Sequence, residues 1–123
     1  MPIRTVRVIN ITKGTILGEQ IGVADTSLSR MAGLLGKSSL APATGLLIVP
    51  SQAVHSFGMR FPIDVLFVDR HSKVIHIQPA MGPSRISGLH WRARCVLELP
   101  VGVIDQTCTA VGDELRMEDQ APS

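Results

Sequence analysis

Aromatic side chains are scarce in this chain: tyrosine is absent, and Phe57, Phe61, Phe67 and Trp91 are the whole complement. The core must therefore be built from aliphatic residues. The basic residues are scattered singly and not interleaved with aromatics, so a nucleic-acid partner is not expected and a solvated surface accounts for them. A long apolar run is missing too. The opening "MPIRTVRVINITKG" alternates charged with β-branched residues and offers neither a signal-peptide core nor a membrane span. A cytoplasmic protein with no membrane partner is expected. The two cysteines, Cys95 and Cys108, are too far apart for a CxxC redox motif and too few for a four-thiolate zinc site. Both read as free thiols.

What is present is enough for one compact body. With 123 residues, 45% of them hydrophobic and 18% charged, the chain is of single-domain length and far from disordered composition. Residues 1–119 read as one globular domain with a short tail at 120–123. The net charge of +2 is unevenly spread. Asp105, Asp113, Glu114, Glu118 and Asp119 crowd the last twenty residues against Arg116 alone, which leaves the remainder basic (11 cations against 5 acids).

Periodicity and turn residues predict a mainly β fold. "RTVRVINI" and "ILGEQIGVA" flank Gly14 and should form an opening hairpin. In "TSLSRMAGLLGK", Leu28, Met31, Ala32 and Leu35 recur at helical spacing, which predicts one short helix near residues 27–35 capped by Gly36. "GLLIVP" reads as a buried strand, and "IDVLFVD" and "KVIHIQP" as a second hairpin joined by "DRHSK". Late in the chain Trp91, Ala93, Cys95, Leu97 and Leu99 alternate with His90, Arg92, Arg94, Val96 and Glu98, the pattern of a half-buried strand. Cys95 falls on its apolar face and should be packed and inert. After a turn or short helix, "GDELRME" supplies a last strand. Many short strands with one short helix predict a single-domain β-sandwich or partly open barrel.

One stretch concentrates polar groups beside a buried strand: "VHSFGMRFPIDVLFVD", residues 54–69. Asp64 shares a strand face with Leu66 and Val68, while Ile63, Val65 and Phe67 line the other, so both faces should be buried. A lone ionised carboxylate there would cost several kcal/mol and needs partners. His55, Ser56 and Arg60 are nearby candidates. The functional reading is a small polar pocket in which Arg60 holds an anion, His55 exchanges a proton and Gly58 admits close approach, with Met59 in the lining. The structural reading makes Asp64 a brace for the preceding turn through His55 or backbone amides. A metal site from His55, Met59 and Asp64 would mix soft and hard ligands without a recognised spacing, so no metal is assigned and the cofactor is unknown. Glu98 is a possible second carboxylate for acid and base work with Asp64, although Arg92 and Arg94 on its face favour a solvated ion pair. "GLLGKS" is not a phosphate loop, because Met31 stands where the first glycine is required. Asp69 should initiate the hairpin turn and His71 tip it into water; His76 and His90 have no evident partner.

The order "RMAGLLGKSSL", "GLLIVP", "VHSFGMRFPIDVLFVD", "VLELPVG" and "VGDEL" resembles the domain-of-unknown-function 192 family of small bacterial and archaeal proteins, from about residue 23 to residue 117. The resemblance implies a compact, mainly β domain and places the family's polar positions on His55, Met59, Asp64, Asp69 and Glu98. It implies no activity. Ser72 stands where such proteins often carry glycine or asparagine. Three functional expectations follow. One is a noncatalytic module binding a small molecule or anion through His55, Ser56, Met59, Arg60, Asp64 and Glu98. The second is a small acid/base enzyme of hydrolytic type using His55 with Asp64 or Glu98. The third is a purely structural motif.

Overall fold

The structure, a computed structural model, describes residues 4–24, 41–54 and 61–120. The expected helix near residues 27–35 lies outside them. Seven strands, β1 (Thr5–Asn10), β2 (Thr15–Ala24), β3 (Thr44–Ile48), β4 (Ile63–Asp69), β5 (Val74–Met81), β6 (Ala93–Pro100) and β7 (Leu115–Asp119), form one sheet. A four-residue helix, α1 (Val103–Gln106), precedes β7. The strand order is β5-β4-β6-β3-β2-β1-β7.

Both predicted hairpins form. β1 and β2 pair antiparallel around Gly14, whose φ of 71° suits the turn that glycine makes without strain. β4 and β5 pair across residues 69–73, where Asp69 Oδ1 accepts the backbone N–H groups of His71 and Lys73 (both 2.9 Å). Ser72 itself takes the positive φ (63°) that favours glycine or asparagine. β2 and β3 instead run parallel, from Gln20 opposite Thr44 to Ala24 opposite Ile48.

The single sheet curls on itself. At the start of β5, Val74 donates to the Asp113 carbonyl (2.9 Å), Gly112 donates to Val74 (2.7 Å), and Lys73 bridges to Glu114 just before β7. The two edge strands thus meet at one corner, which makes the fold a partly open barrel and not a two-sheet sandwich. Inside lie Val6, Val8, Ile21, Leu66, Leu97 and Leu99 with Ile104 of α1; against the outer face pack Leu46, Val54, Phe61, Ile63, Val65, Phe67 and Val96.

β6 departs from its expected half-burial. It lies between β4 and β3, and Val96, Leu97, Glu98 and Leu99 are all buried. The regular alternation also breaks at its start: Cys95 pairs with Val68 but Ala93 with Asp69, so Ala93 joins the outer layer while Cys95 faces inward. Trp91 falls before the strand and is 80% exposed, not on an apolar face. Gly45 is required where β3 meets β6: a Cβ there would lie 2.4 Å from the Glu98 carbonyl oxygen.

Candidate ligand-binding site

The three carboxylates of the sequence reading, Asp64, Glu98 and Asp69, have different surroundings. Asp64, at the start of β4, is 1% exposed. Its Oδ1 accepts from Ala80 N (2.9 Å), and its Oδ2 accepts from Gly102 N (3.0 Å) and Ile104 N (2.9 Å). One carboxylate thus ties the end of β5 and the first turn of α1 to β4, and charged acceptors make such bonds about twice as strong as neutral ones. Among the described residues the brace therefore acts on segments distant in sequence; the preceding turn, residues 55–60, lies outside them. An open depression of about 600 Å³ lies beside it, lined largely by apolar atoms of Ile77, Pro79, Val101 and Ile104 with Asp105 and Cys108 at its edge.

Glu98 occupies the other side of the sheet. Asp64 lies opposite Leu99 of the inner layer, whereas Glu98 lies opposite Val65 on one side and Leu46 on the other, both of the outer layer. Residues directly opposite on neighbouring strands share a face. Asp64 and Glu98 are therefore separated by the sheet and do not flank one substrate as an acid and base pair. Nor is Glu98 in a solvated ion pair, since it is fully buried. His55, Ser56, Met59 and Arg60 lie outside the described residues. Their described neighbours Val54 and Phe61 both pack into the outer layer, and Val54 is pinned in both directions to Ser87, through the Ser87 hydroxyl (2.8 Å) and the Ser87 N–H (2.9 Å). Among the described residues no three histidines, cysteines or acids cluster as a metal site.

Another opening lies at the far end of β4. A cleft of about 810 Å³ is walled by Pro50, Ser51 and Gln52 after β3, by residues 69–71 of the β4–β5 turn, and by residues 91–94 at the start of β6. Its backbone is well tied: Ser51 N donates to Arg94 O (2.9 Å), His90 N to Gln52 O (2.9 Å), and Gln52 Nε2 to Trp91 O (2.9 Å). Trp91, Arg70, Arg92 and Arg94 are among the residues that line it. Among the described residues none of these three arginines forms an ion pair; Arg70 Nε donates to His71 Nε2 (3.3 Å). The one carboxylate in the lining, Asp69, is engaged by the turn it initiates. Three arginines thus share the cleft with one carboxylate beside an exposed aromatic residue.

Periodicity does not point to these residues, because "HWRAR" reads as regular strand. The signal was an aromatic flanked by basic residues in that run, together with Arg70 in the facing turn. His76 and His90, without evident partners in sequence, stack on each other (ring centroids 4.3 Å apart) and pack at a tilt against Phe67 (5.5 and 4.1 Å). Burial, and then the neighbouring His76, hold His90 below the usual histidine range. Cys95 is an inert packing residue: burial pushes its thiol up to about 11, whereas Cys108 is exposed.

The fold defines a small, partly open β-barrel domain built from one sheet. The chain belongs to the domain-of-unknown-function 192 family, described as "Uncharacterized ACR", whose profile matches residues 8–117. A UPF0127 protein of Thermococcus sibiricus is 34% identical over 115 residues, spanning 89% of this chain and 73% of the relative. One from Pyrococcus furiosus is 27% identical, spanning 87% and 94%. Two crystal structures share the fold with a TM-score of 0.76 each: a Sinorhizobium meliloti protein whose assignment as a transcription regulator is provisional (22% identity, 94% of each chain), and a protein of unknown function from Novosphingobium aromaticivorans (21% identity, 93% of this chain and 84% of that one).

Proposed function

We propose that this protein is a noncatalytic small-anion binding module whose ligand sits in the arginine-lined cleft. The observation that carries the reading is the convergence of Arg70, Arg92 and Arg94, without ion-pair partners among the described residues, on a cleft whose lone acid is held by backbone amides. Guanidinium groups suit phosphate and carboxylate oxygens through paired N–H donors. The cleft volume falls within the ~300 to 1,000 Å³ typical of small-molecule sites. A cytoplasmic setting belongs to the same proposal; among the described residues no helix is long and apolar enough to cross a membrane.

Titration of the protein with pyrophosphate at low salt, followed by calorimetry, tests it. Saturable binding that weakens at least fivefold in both Arg92→Gln and Arg94→Gln is expected. Failure to saturate at ten millimolar anion, on the order of the weakest useful affinities, would remove the reading.

A second reading rests on Glu98. It is a buried acid on the face where Val54 and Phe61 pack, and those residues flank His55, Ser56, Met59 and Arg60 in sequence. In this reading those residues and Glu98 contact a small molecule, or His55 and Glu98 work as acid and base, while Asp64 supports the fold from the other side. Native mass spectrometry of protein purified gently from its host should then show a retained small molecule that Glu98→Gln releases. Turnover that survives His55→Ala would argue against the acid/base version.

A further inference from the structure

We infer that the anion taken by the arginine cleft is a nucleoside phosphate, with its base stacked on Trp91 and its phosphates on Arg92 and Arg94. The inference rests on the anion-binding reading and adds to it the identity of the ligand.

Trp91 is the reason to go beyond a simple anion. An indole left 80% exposed forgoes the burial that a large aromatic usually gains, in a protein with only four aromatic residues. It is not on a loose tip either. Its carbonyl is held by Gln52, and the turn that carries it is closed by Ala93 N donating to His90 O (3.0 Å). An open aromatic face on a well-tied backbone, beside arginines, matches a ligand that has a flat π system at one end and concentrated negative charge at the other. A bare anion would use the arginines and leave the indole wet. An uncharged aromatic would do the reverse.

Charge distribution favours a free nucleotide over a nucleic-acid strand. A strand-binding groove needs a continuous basic track with stacking platforms along it. Here several other cations are already paired: Arg4 with Asp119, Arg7 with Glu19, Lys13 with Asp113, Lys73 with Glu114 and Arg116 with Glu118. Among the described residues, Arg70, Arg92 and Arg94 gather at a cleft of about 810 Å³ with one tryptophan, which accommodates one nucleotide unit.

Because Trp91 is the sole tryptophan, its fluorescence, excited at the red edge of the indole band, reports the cleft directly. ADP is the probe, with pyrophosphate and adenosine as its two halves. ADP should quench Trp91 and bind at least tenfold more tightly than either half. Arg92→Gln and Arg94→Gln should each weaken ADP about fivefold or more. In calorimetry, Trp91→Ala should weaken ADP at least tenfold while leaving pyrophosphate within twofold. These positions are exposed, and circular-dichroism melts of the variants confirm folding. If ADP binds no better than pyrophosphate and Trp91→Ala changes neither, the nucleotide inference is overturned while the anion reading stands. If neither binds, both fall. If a ten-residue oligouridylate binds at least tenfold more tightly than ADP, with a steep salt dependence, the occupant is a strand and the inference is overturned.

Discussion

Replacing Asp64 with alanine should be among the most damaging single changes in the described part of the protein. The substitution removes the acceptor of three backbone N–H bonds at 2.9 to 3.0 Å, from Ala80, Gly102 and Ile104. The bond from Ile104 is buried and the other two are partly buried, so water replaces them poorly. Leaving a buried donor unsatisfied costs about 1 to 3 kcal/mol, and three donors sharing one lost acceptor relax together, so roughly 3 to 5 kcal/mol is expected. Unfolding entropy of about 2.1 cal/mol/K per residue makes each kcal/mol worth about 4 °C in a chain of this length. Asp64→Ala should therefore lower Tm by about 12 to 20 °C in circular-dichroism melts at neutral pH. Asp64→Asn keeps one acceptor but turns an amide donor toward an N–H, and should lose about half as much. Pyrophosphate binding should survive wherever the variant is folded. Asp69, in the cleft lining, is five residues along the strand, about 17 Å from Asp64 at strand rise. A cooperative melt within 3 °C of the parent would refute the brace. An intact Tm with lost binding would move Asp64 into the site.

Gly45→Ala should destabilise by about 1 to 3 kcal/mol, since the new methyl would meet the Glu98 carbonyl oxygen, which belongs to the backbone of β6 and cannot swing aside; a urea midpoint equal to the parent's would contradict that packing. Native protein treated with iodoacetamide at pH 8 should take up one equivalent, at Cys108, and a second only in denaturant, because burial holds Cys95 at about 11. Mass spectrometry distinguishes the sites, and rapid native labelling of Cys95 would count against its burial. For Asp113, burial raises the carboxyl, but hydrogen bonds from Asn10, Lys13 and Ala110 and the Lys13 charge outweigh it and set the folded value below the usual one. A depressed carboxylate stabilises the fold above its unfolded value near pH 4, and the contribution is lost as pH falls through the folded value. The Tm gap between parent and Asp113→Asn should thus be widest near pH 7 and close below about pH 4; a gap that widens on acidification would reverse the assignment.

Much of the fold is legible because local chemistry and tertiary packing agree there. Gly14 and the turn residues between β4 and β5 announce their hairpins, and the apolar run through Ile63 to Val68 correctly marks a strand buried on both faces. β6 misleads for a physical reason. A strand with alternating polar residues looks half solvated, but its neighbours β4 and β3 and the outer layer cover Val96 and Glu98 as well. The parallel pairing of β2 with β3 is set by a long connection that local periodicity does not encode. The brace at Asp64 was visible as a buried charge in need of partners, yet its donors are main-chain groups on β5 and around α1, which carry no side-chain signature. The cleft is not legible in the sequence because its arginines come from separate segments, the β4–β5 turn and the start of β6.

The uneven charge along the chain takes on meaning once the barrel closes. The acids crowded near the C-terminus do not form a separate acidic surface, because β7 and the segment before it lie against the basic part of the chain: Asp113 meets Lys13, Glu114 meets Lys73, and Asp119 meets Arg4. On β4, both aspartates are taken up by backbone amides, Asp64 at one end and Asp69 at the other. Neutralisation is thus nearly complete around the β1–β7 edge, whereas among the described residues Arg70, Arg92 and Arg94 share a cleft with one acid, Asp69. Exposed charges more than about 8 to 10 Å apart are screened at physiological salt, so a net charge of +2 spread over the molecule would attract little. Three arginines gathered in one cleft beside Trp91 act at short range, and under the proposed function that concentration, more than the overall charge, would let the cleft select an anion.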